Sequence, residues 1–573
     1  MSELLDQAKL SRSFVSPDLT ITGWNDVALY FNDLLHRAIN SVADLELWMK
    51  NRSELDAVLE EELAWRYILM NCNTEDTVLA ERFNVFVSEI EPKVSTLSNE
   101  LDKKLTTNPY FGHLDKQKYF VLVRNTKNSL ELFREANVEI AAQLQQESQE
   151  YGVICSKQMI SHNDKELTLP QAAVYLKELD RNVRETVYMK MSECRIKDAE
   201  TLNTLLDKLI AKRHQIALNA GFDSYVEYRF KELGRFDYTQ TDCNDFHQSV
   251  KQFVLPLIKE MQKIRKTKLG VKELRPWDLE VDTDKQAPLK PFVTPEELLS
   301  KAINCFDEID PQFGTFLRIM KKNGHFDLDS RKGKAPGGFN YPLYESNAPF
   351  IYINAAGTLR DVETIVHEGG HAIHSFLSAN LELVDFKNLP SEVAELASMS
   401  MELISMEHWH HYFSDKAELK RAKRNQLEGI ISILPWIMVV DAFQNHLYTH
   451  IGESFEERTK AWNKILDDFS DSIVSWDGLE QFRDVSWQKQ LHIYEVPFYY
   501  IEYGISQLGA ISMWKNYKQN PAETIAKYKQ ALSLGYTVSI KEIYQTAGIK
   551  FDFSAEYISE LLAFVSAELM ALE

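Results

Sequence analysis

Residues 366–371 read Val366-His367-Glu368-Gly369-Gly370-His371, an H-E-x-x-H spacing. On a helix, histidines four residues apart project from one face, so their imidazoles can share one zinc ion. The glutamate beside the first histidine can take a proton from a water held by that ion. This is metallopeptidase chemistry. It needs a helix under the motif, a third protein ligand, and one position left open for water.

The helix is legible. Thr358 and Asp361 read as a capping box with Thr358 as N-cap. Val362, Ile365, Val366, Gly369, Ala372, Ile373 and Phe376 then recur at helical spacing as a stripe built for burial, and His367, His371 and His374 fall on another stripe beside Glu368. Gly369 and Gly370 each cost roughly 1 kcal/mol relative to alanine inside a helix. Such a cost argues for a positional reason, and Gly369, within the apolar stripe, is where another backbone is expected to come close.

The third ligand must come from elsewhere. A metzincin would need a glycine at 374 and a histidine at 377, where this chain has His374 and Leu377. Three donors from one straight helix make an awkward tetrahedron, so His374 is expected in a supporting role. The other solution is a glutamate from a second helix. Pro390-Ser391 marks a helix start, with Val393, Leu396, Ala397, Ser400, Leu403 and Ile404 as its small and apolar stripe. Glu392 and Glu395 lie in its first turns, and spacing alone leaves them competing.

Residues 361–372 and 393–398, with a tyrosine-rich block from His492 to Gly504, resemble the zinc oligopeptidases related to thimet oligopeptidase and oligoendopeptidase F. The resemblance is strong from about Arg331 to Trp514. It is looser upstream, at Leu274–Asp278 and Asp180–Arg184. It implies a mainly α fold: an elongated, two-lobed helical body with a deep central cleft and a small β-sheet beside the zinc helix. It implies one zinc ion per chain, with Glu395 joining His367 and His371 as ligand and Glu402 orienting a histidine. It also implies that His492 and tyrosines stabilise the oxyanion. Tyr499 and Tyr503 share a helical face from which Tyr500 is turned away. This chain has Pro497 and Phe498 where some relatives place tyrosine, so Tyr499 and Tyr503 are the first candidates and Tyr500 the alternative.

Upstream, Gly333–Phe339 reads as a turn-rich loop and Pro349–Asn354 as a short strand. An edge strand there could pair with substrate backbone; a plain hairpin is the equal alternative. Gly337, Gly338, Tyr352 and Tyr500 are the candidates for substrate contact.

The 573 residues suffice for several domains, but helical period dominates and no flexible linker is visible. Residues 1–200 read as an N-terminal helical region forming part of one lobe. Residues 201–573 read as the catalytic region, continuous with it. A β-like interruption lies near Ile154–Leu169, and Thr283–Pro295 reads as a loop. The net charge of −21 disfavours nucleic acid as a partner. The basic runs Lys263–Lys272 and Lys420–Arg424 are read as solvated faces. His408, His410 and His411 are read as a packed or solvated helix end rather than a second metal site.

Five scattered cysteines without a C-x-x-C argue against a disulfide framework. Met1–Asp6 has neither a basic nor an apolar segment of a signal peptide. The apolar run Gly429–Val440 is short for a bilayer and contains Pro435. The expectation is a cytoplasmic protein without membrane partners, monomeric or a simple homo-oligomer. It would cleave internal bonds of short unstructured peptides with Glu368 as general base. The rivals are a zinc carboxypeptidase of similar fold, a non-catalytic peptide-binding protein and a purely structural zinc site with no open position.

Overall fold

The computed structural model describes residues 12–572 apart from 332, 336 and 471. The Met1–Asp6 segment and the proline of the Gly333–Phe339 loop lie outside the described residues. Helices make up most of the chain, and local chemistry sets their ends. The Ser41 hydroxyl accepts from the Asp44 N–H to start Val42–Cys72, and Asp415 accepts from two N–H groups to start Lys416–Thr449. Gly221 and Gly270, both left-handed, close Ala199–Ala220 and Gln240–Leu269.

Lys416–Thr449 continues through Pro435 without interruption. Leu434, Ile437, Met438, Val439, Val440 and Phe443 are all core residues, and their burial outweighs the lost backbone hydrogen bond. The helix is long and apolar enough to cross a membrane by composition, yet 67% of that stretch is packed inside the protein.

Two small sheets interrupt the helices. Strands β1 (Met159–His162) and β2 (Lys165–Thr168) form an antiparallel hairpin. Its two turn residues, Asn163 and Asp164, both have positive φ, as a type I′ turn requires. Ile154 stays in the preceding helix, Glu135–Ser156. The second sheet holds β3 (Phe326–Asp329), β4 (Phe339–Tyr341) and β5 (Phe350–Ala355) in the order β3-β5-β4. The Pro349–Asn354 strand is therefore central, parallel to β3 and antiparallel to β4. The edge expected of it belongs to β4 instead, because β3 arrives from upstream to cover β5.

A large apolar core spans most of the chain from residue 121 onward. A second core, built from residues 15–122, is closed by Leu383 and Phe386. Those two residues lie on the loop between the dihistidine helix (Leu359–Ser378) and the Glu395 helix (Ser391–Ser405). The Glu395 helix packs in turn on the tyrosine helix (Tyr500–Gln519).

The two motif glycines explain how close the first pair of helices comes. A Cβ at Gly370 would lie 2.6 Å from the Ser398 Cα and 2.8 Å from the Ala397 carbonyl oxygen. A Cβ at Gly369 would instead meet the Phe306 ring at 2.7 Å. Backbone approach thus belongs to Gly370, and Gly369 admits an aromatic side chain. Gly370→Ala must push the two helices apart, at a cost of about 1–3 kcal/mol or more. A lower urea midpoint and weaker zinc binding are expected, since Glu395 precedes Ser398 by one turn. Gly370→Ala no more disruptive than Gly369→Ala would contradict this account.

Candidate active site

Thr358 caps the dihistidine helix as expected: the Asp361 carboxylate accepts from its N–H at 2.8 Å and its hydroxyl at 2.9 Å. One face of that helix is core, with Val362, Ile365, Val366, Ala372 and Ile373 at most 1% exposed. The other lines a cavity of 910 Å³ in which His367, Glu368, His371, Glu395, Tyr499 and Tyr503 converge. Such a volume suits a peptide segment or small ligand.

Geometry separates the competing glutamates. Glu395 Oε2 lies 3.3 Å from His367 Nε2 and 3.7 Å from His371 Nε2. Donors about 2.05 Å from one tetrahedral centre stand about 3.3 Å apart, so two imidazole nitrogens and a carboxylate oxygen at this spacing fit zinc. Glu392 is turned away and accepts from the buried Tyr238 hydroxyl at 2.6 Å.

Two of the three candidate ligands, His367 and Glu395, are themselves held. Glu402 Oε1 lies 2.7 Å from His367 Nδ1, and its other oxygen accepts from the Gln426 amide at 3.0 Å. A proton on Nδ1, donated to Glu402, leaves the Nε2 lone pair facing the site. Glu395 accepts from the Ser398 hydroxyl at 2.9 Å and from the Tyr499 hydroxyl at 3.1 Å. Glu402→Ala should weaken zinc binding roughly 10–100-fold, read by chelator competition, with turnover largely restored at saturating zinc. Unchanged affinity would remove Glu402 from this role.

The site's electrostatics follow its burial. Burial would raise the Glu395 carboxyl, but its hydrogen bond to His367, the imidazole charges and Ser398 hold it down to about 2. Burial foremost pushes His371 down to about 4 and His374 down to about 3. His367 goes the other way, because Glu395 and Glu402 outweigh its desolvation. Glu368, 7% exposed, is pushed up to about 7 by burial, then by Glu395 and Glu402. His374 lines the cavity but stands outside the three-donor cluster.

The aromatic block depends on a turn that the sequence does not announce. Phe498 has φ +68°, a left-handed conformation unusual for a phenylalanine. Its surroundings fix it: its N–H donates to Gln444 at 2.8 Å, and its carbonyl accepts from Arg235. The tyrosine helix begins just beyond, at Tyr500. Tyr499 and Tyr503 line the cleft, as the helical wheel suggested, and Tyr500 does not. The Tyr500 ring packs 4.8 Å from that of His492.

His492 is oriented by a relay from Trp436 through Gln490. The Trp436 indole N–H donates to Gln490 Oε1 at 3.0 Å, so the Gln490 NH₂ faces His492 Nδ1 at 2.7 Å. His492 Nδ1 must accept, which puts the ring proton on Nε2. Burial pushes this imidazole down to about 4, so it is a neutral N–H donor.

Of the expected substrate contacts, Gly338 lines the cleft and Gly337 does not. Tyr352 is a correction. Its side chain is fully buried, stacked 4.6 Å from Phe339, with its hydroxyl on the Asn71 and Ala335 carbonyls. It braces the sheet and cannot touch a peptide. Asn340, which no motif singled out, lies on β4 and donates to the Glu368 carbonyl at 3.1 Å, tying the strand to the dihistidine helix. His408, His410 and His411 gather around Glu308 at 2.7–3.2 Å, outside the residues lining the cleft.

Comparison with known proteins agrees with this architecture. The model of peptidase family M3 matches residues 174–562, and that of the peptidase M3 N-terminal domain matches residues 17–133. An oligoendopeptidase F homolog of Borreliella burgdorferi is 23% identical over 381 residues, covering 65% of this chain and 62% of that protein. Oligopeptidase PepF of Bacillus subtilis is 21% identical over 389 residues, covering 68% and 57%. The chain thus matches less than two thirds of the length of these curated relatives. Among solved structures, Pz peptidase A with an inhibitor superposes with a TM-score of 0.90 at 24% identity, over 98% of this chain and 99% of that one. Oligoendopeptidase-F from Enterococcus faecium gives 0.66 at 16% identity, over 96% and 97%. These two likenesses are of fold.

Proposed function

The chain belongs to peptidase family M3, and on that footing we propose that it hydrolyses internal bonds of short unstructured peptides, using one zinc ion held by His367, His371 and Glu395. The observation that carries this reading is the meeting of those three side chains, with donor atoms within 4.8 Å of one another, in the wall of a cleft that Glu368 shares.

Zinc bound there supplies Lewis acidity, lowering the pKa of a water toward neutrality and polarising a peptide carbonyl. The Glu368 carboxylate accepts the water's proton and delivers it to the leaving amine. His492, with its proton on Nε2, and Tyr503 donate to the carbonyl oxygen as negative charge develops. Tyr499 holds one oxygen of Glu395 and so keeps the other turned to the histidines. The free edge of β4 offers main-chain hydrogen bonds to an extended peptide, which fits substrates of mixed sequence.

Mass spectrometry of a peptide library digested with and without chelator tests this function. Internal cuts that vanish with chelator and return with zinc are expected. A ladder of single residues lost from C-termini would favour the carboxypeptidase rival. Peptide capture without hydrolysis in the presence of zinc would favour the binding protein.

A further inference from the structure

Among the described residues lining the cleft, Glu232, Glu368 and Glu395 are acidic and Lys387 is the one lysine or arginine. Lys387 is 7% exposed. Its ammonium meets the Asn347 side-chain oxygen at 3.1 Å, and no ion pair among the described residues includes it. Burial alone pushes it down to about 8, with no carboxylate acting to hold it up. Glu60, which hydrogen-bonds the adjoining Asn388 side chain, is itself pushed up to about 8, by burial and then by Asp56.

A buried ammonium with a single neutral partner is costly, because lysine carries three donors and a full charge. Its position is fixed on both sides. The Lys387 N–H donates to Val384 at 2.7 Å, and the adjoining Phe386 carbonyl accepts from Tyr536 at 2.7 Å. Leu383 and Phe386 anchor the same loop in the second core. Three residues on, Pro390 caps the helix that carries Glu395. The loop therefore holds one uncompensated positive charge in the cleft at a set distance along the chain from a candidate zinc ligand.

We propose that Lys387 receives a carboxylate of the bound peptide, from its C-terminus or from an acidic side chain, and so sets the register of the peptide over His367, His371 and Glu395. The assignment rests on the oligopeptidase reading. It also gives a reason for a preference for short substrates, since a C-terminus caught at Lys387 limits how much chain lies beyond the cut.

The test uses one internally quenched peptide made with a free C-terminal carboxylate and with a C-terminal amide, plus an amide series with a single glutamate moved along the sequence. Wild-type protein is expected to prefer the free acid by roughly 10- to 100-fold in kcat/KM, mostly through KM. Lys387→Met should lose the preference, its acid-to-amide ratio of kcat/KM falling to about one. If glutamate at one position restores the amide to the level of the acid, a side-chain carboxylate is the group received. Equal cleavage of all peptides by wild type, or a preference that survives Lys387→Met, would overturn the assignment. Failure of wild type to cut any of them would overturn the oligopeptidase reading instead. Titration of the same acid and amide onto Glu368→Gln protein would then still decide the role of Lys387, with equal affinity counting against it.

Discussion

Glu368→Gln is expected to bind zinc as wild type does and to lose roughly 100- to 10,000-fold in kcat. The substitution replaces one oxygen with an NH₂ of nearly the same shape, so packing around this 7% exposed side chain survives. What disappears is the basic oxygen that, in the proposed mechanism, accepts a proton from water and returns it to the amine. Glu368 stands outside the three-donor cluster, so metal content should hold at one equivalent. Steady-state kinetics alongside metal analysis separate the two effects. Cleavage at the normal rate would remove Glu368 from the chemistry. Loss of zinc together with activity would make it a ligand instead.

Glu395→Ala should produce the opposite pattern. It removes one of three donors and leaves the Tyr499 and Ser398 hydroxyls without their shared acceptor. Zinc affinity should fall by more than the roughly 10–100-fold expected of an outer-shell partner such as Glu402, and activity should fall with it even at zinc levels that saturate wild type. Glu392→Gln is the control, one helical turn away, because Glu392 faces Tyr238. It is expected to leave zinc binding intact. Equal loss from both variants would mean that the glutamate helix acts only through stability.

Much of this site was legible because it is local. The H-E-x-x-H spacing, the Thr358–Asp361 start and the apolar stripe all lie within twenty residues, and helical geometry turns spacing into direction. The choice between Glu392 and Glu395 was not local. Both sit early in one helix, and which of them meets the histidines depends on where that helix crosses its neighbour. The crossing is set by Gly370 against Ser398, a contact between residues 28 positions apart. Spacing alone could rank the two glycines only by helical face, and so favoured Gly369.

The misplacements have the same origin. Residues 350–355 look like any short strand; that they run between β3 and β4 depends on a strand some twenty residues upstream. Tyr352 therefore seemed available to substrate when it is core. The tyrosine register hinges on the left-handed Phe498, held by Gln444 and Arg235 from distant segments, where composition alone would look for glycine. Gln490 and Lys387 left no periodic signal at all. Their importance lies in what they face.

One zinc ion between His367, His371 and Glu395 is what the proposed chemistry requires. Anomalous diffraction on either side of the zinc edge, from crystals of active protein, tests it most directly. A single strong peak is expected about 2.0–2.2 Å from both Nε2 atoms and a Glu395 carboxylate oxygen. A protein that cleaves peptides with no zinc peak among those three side chains would contradict it.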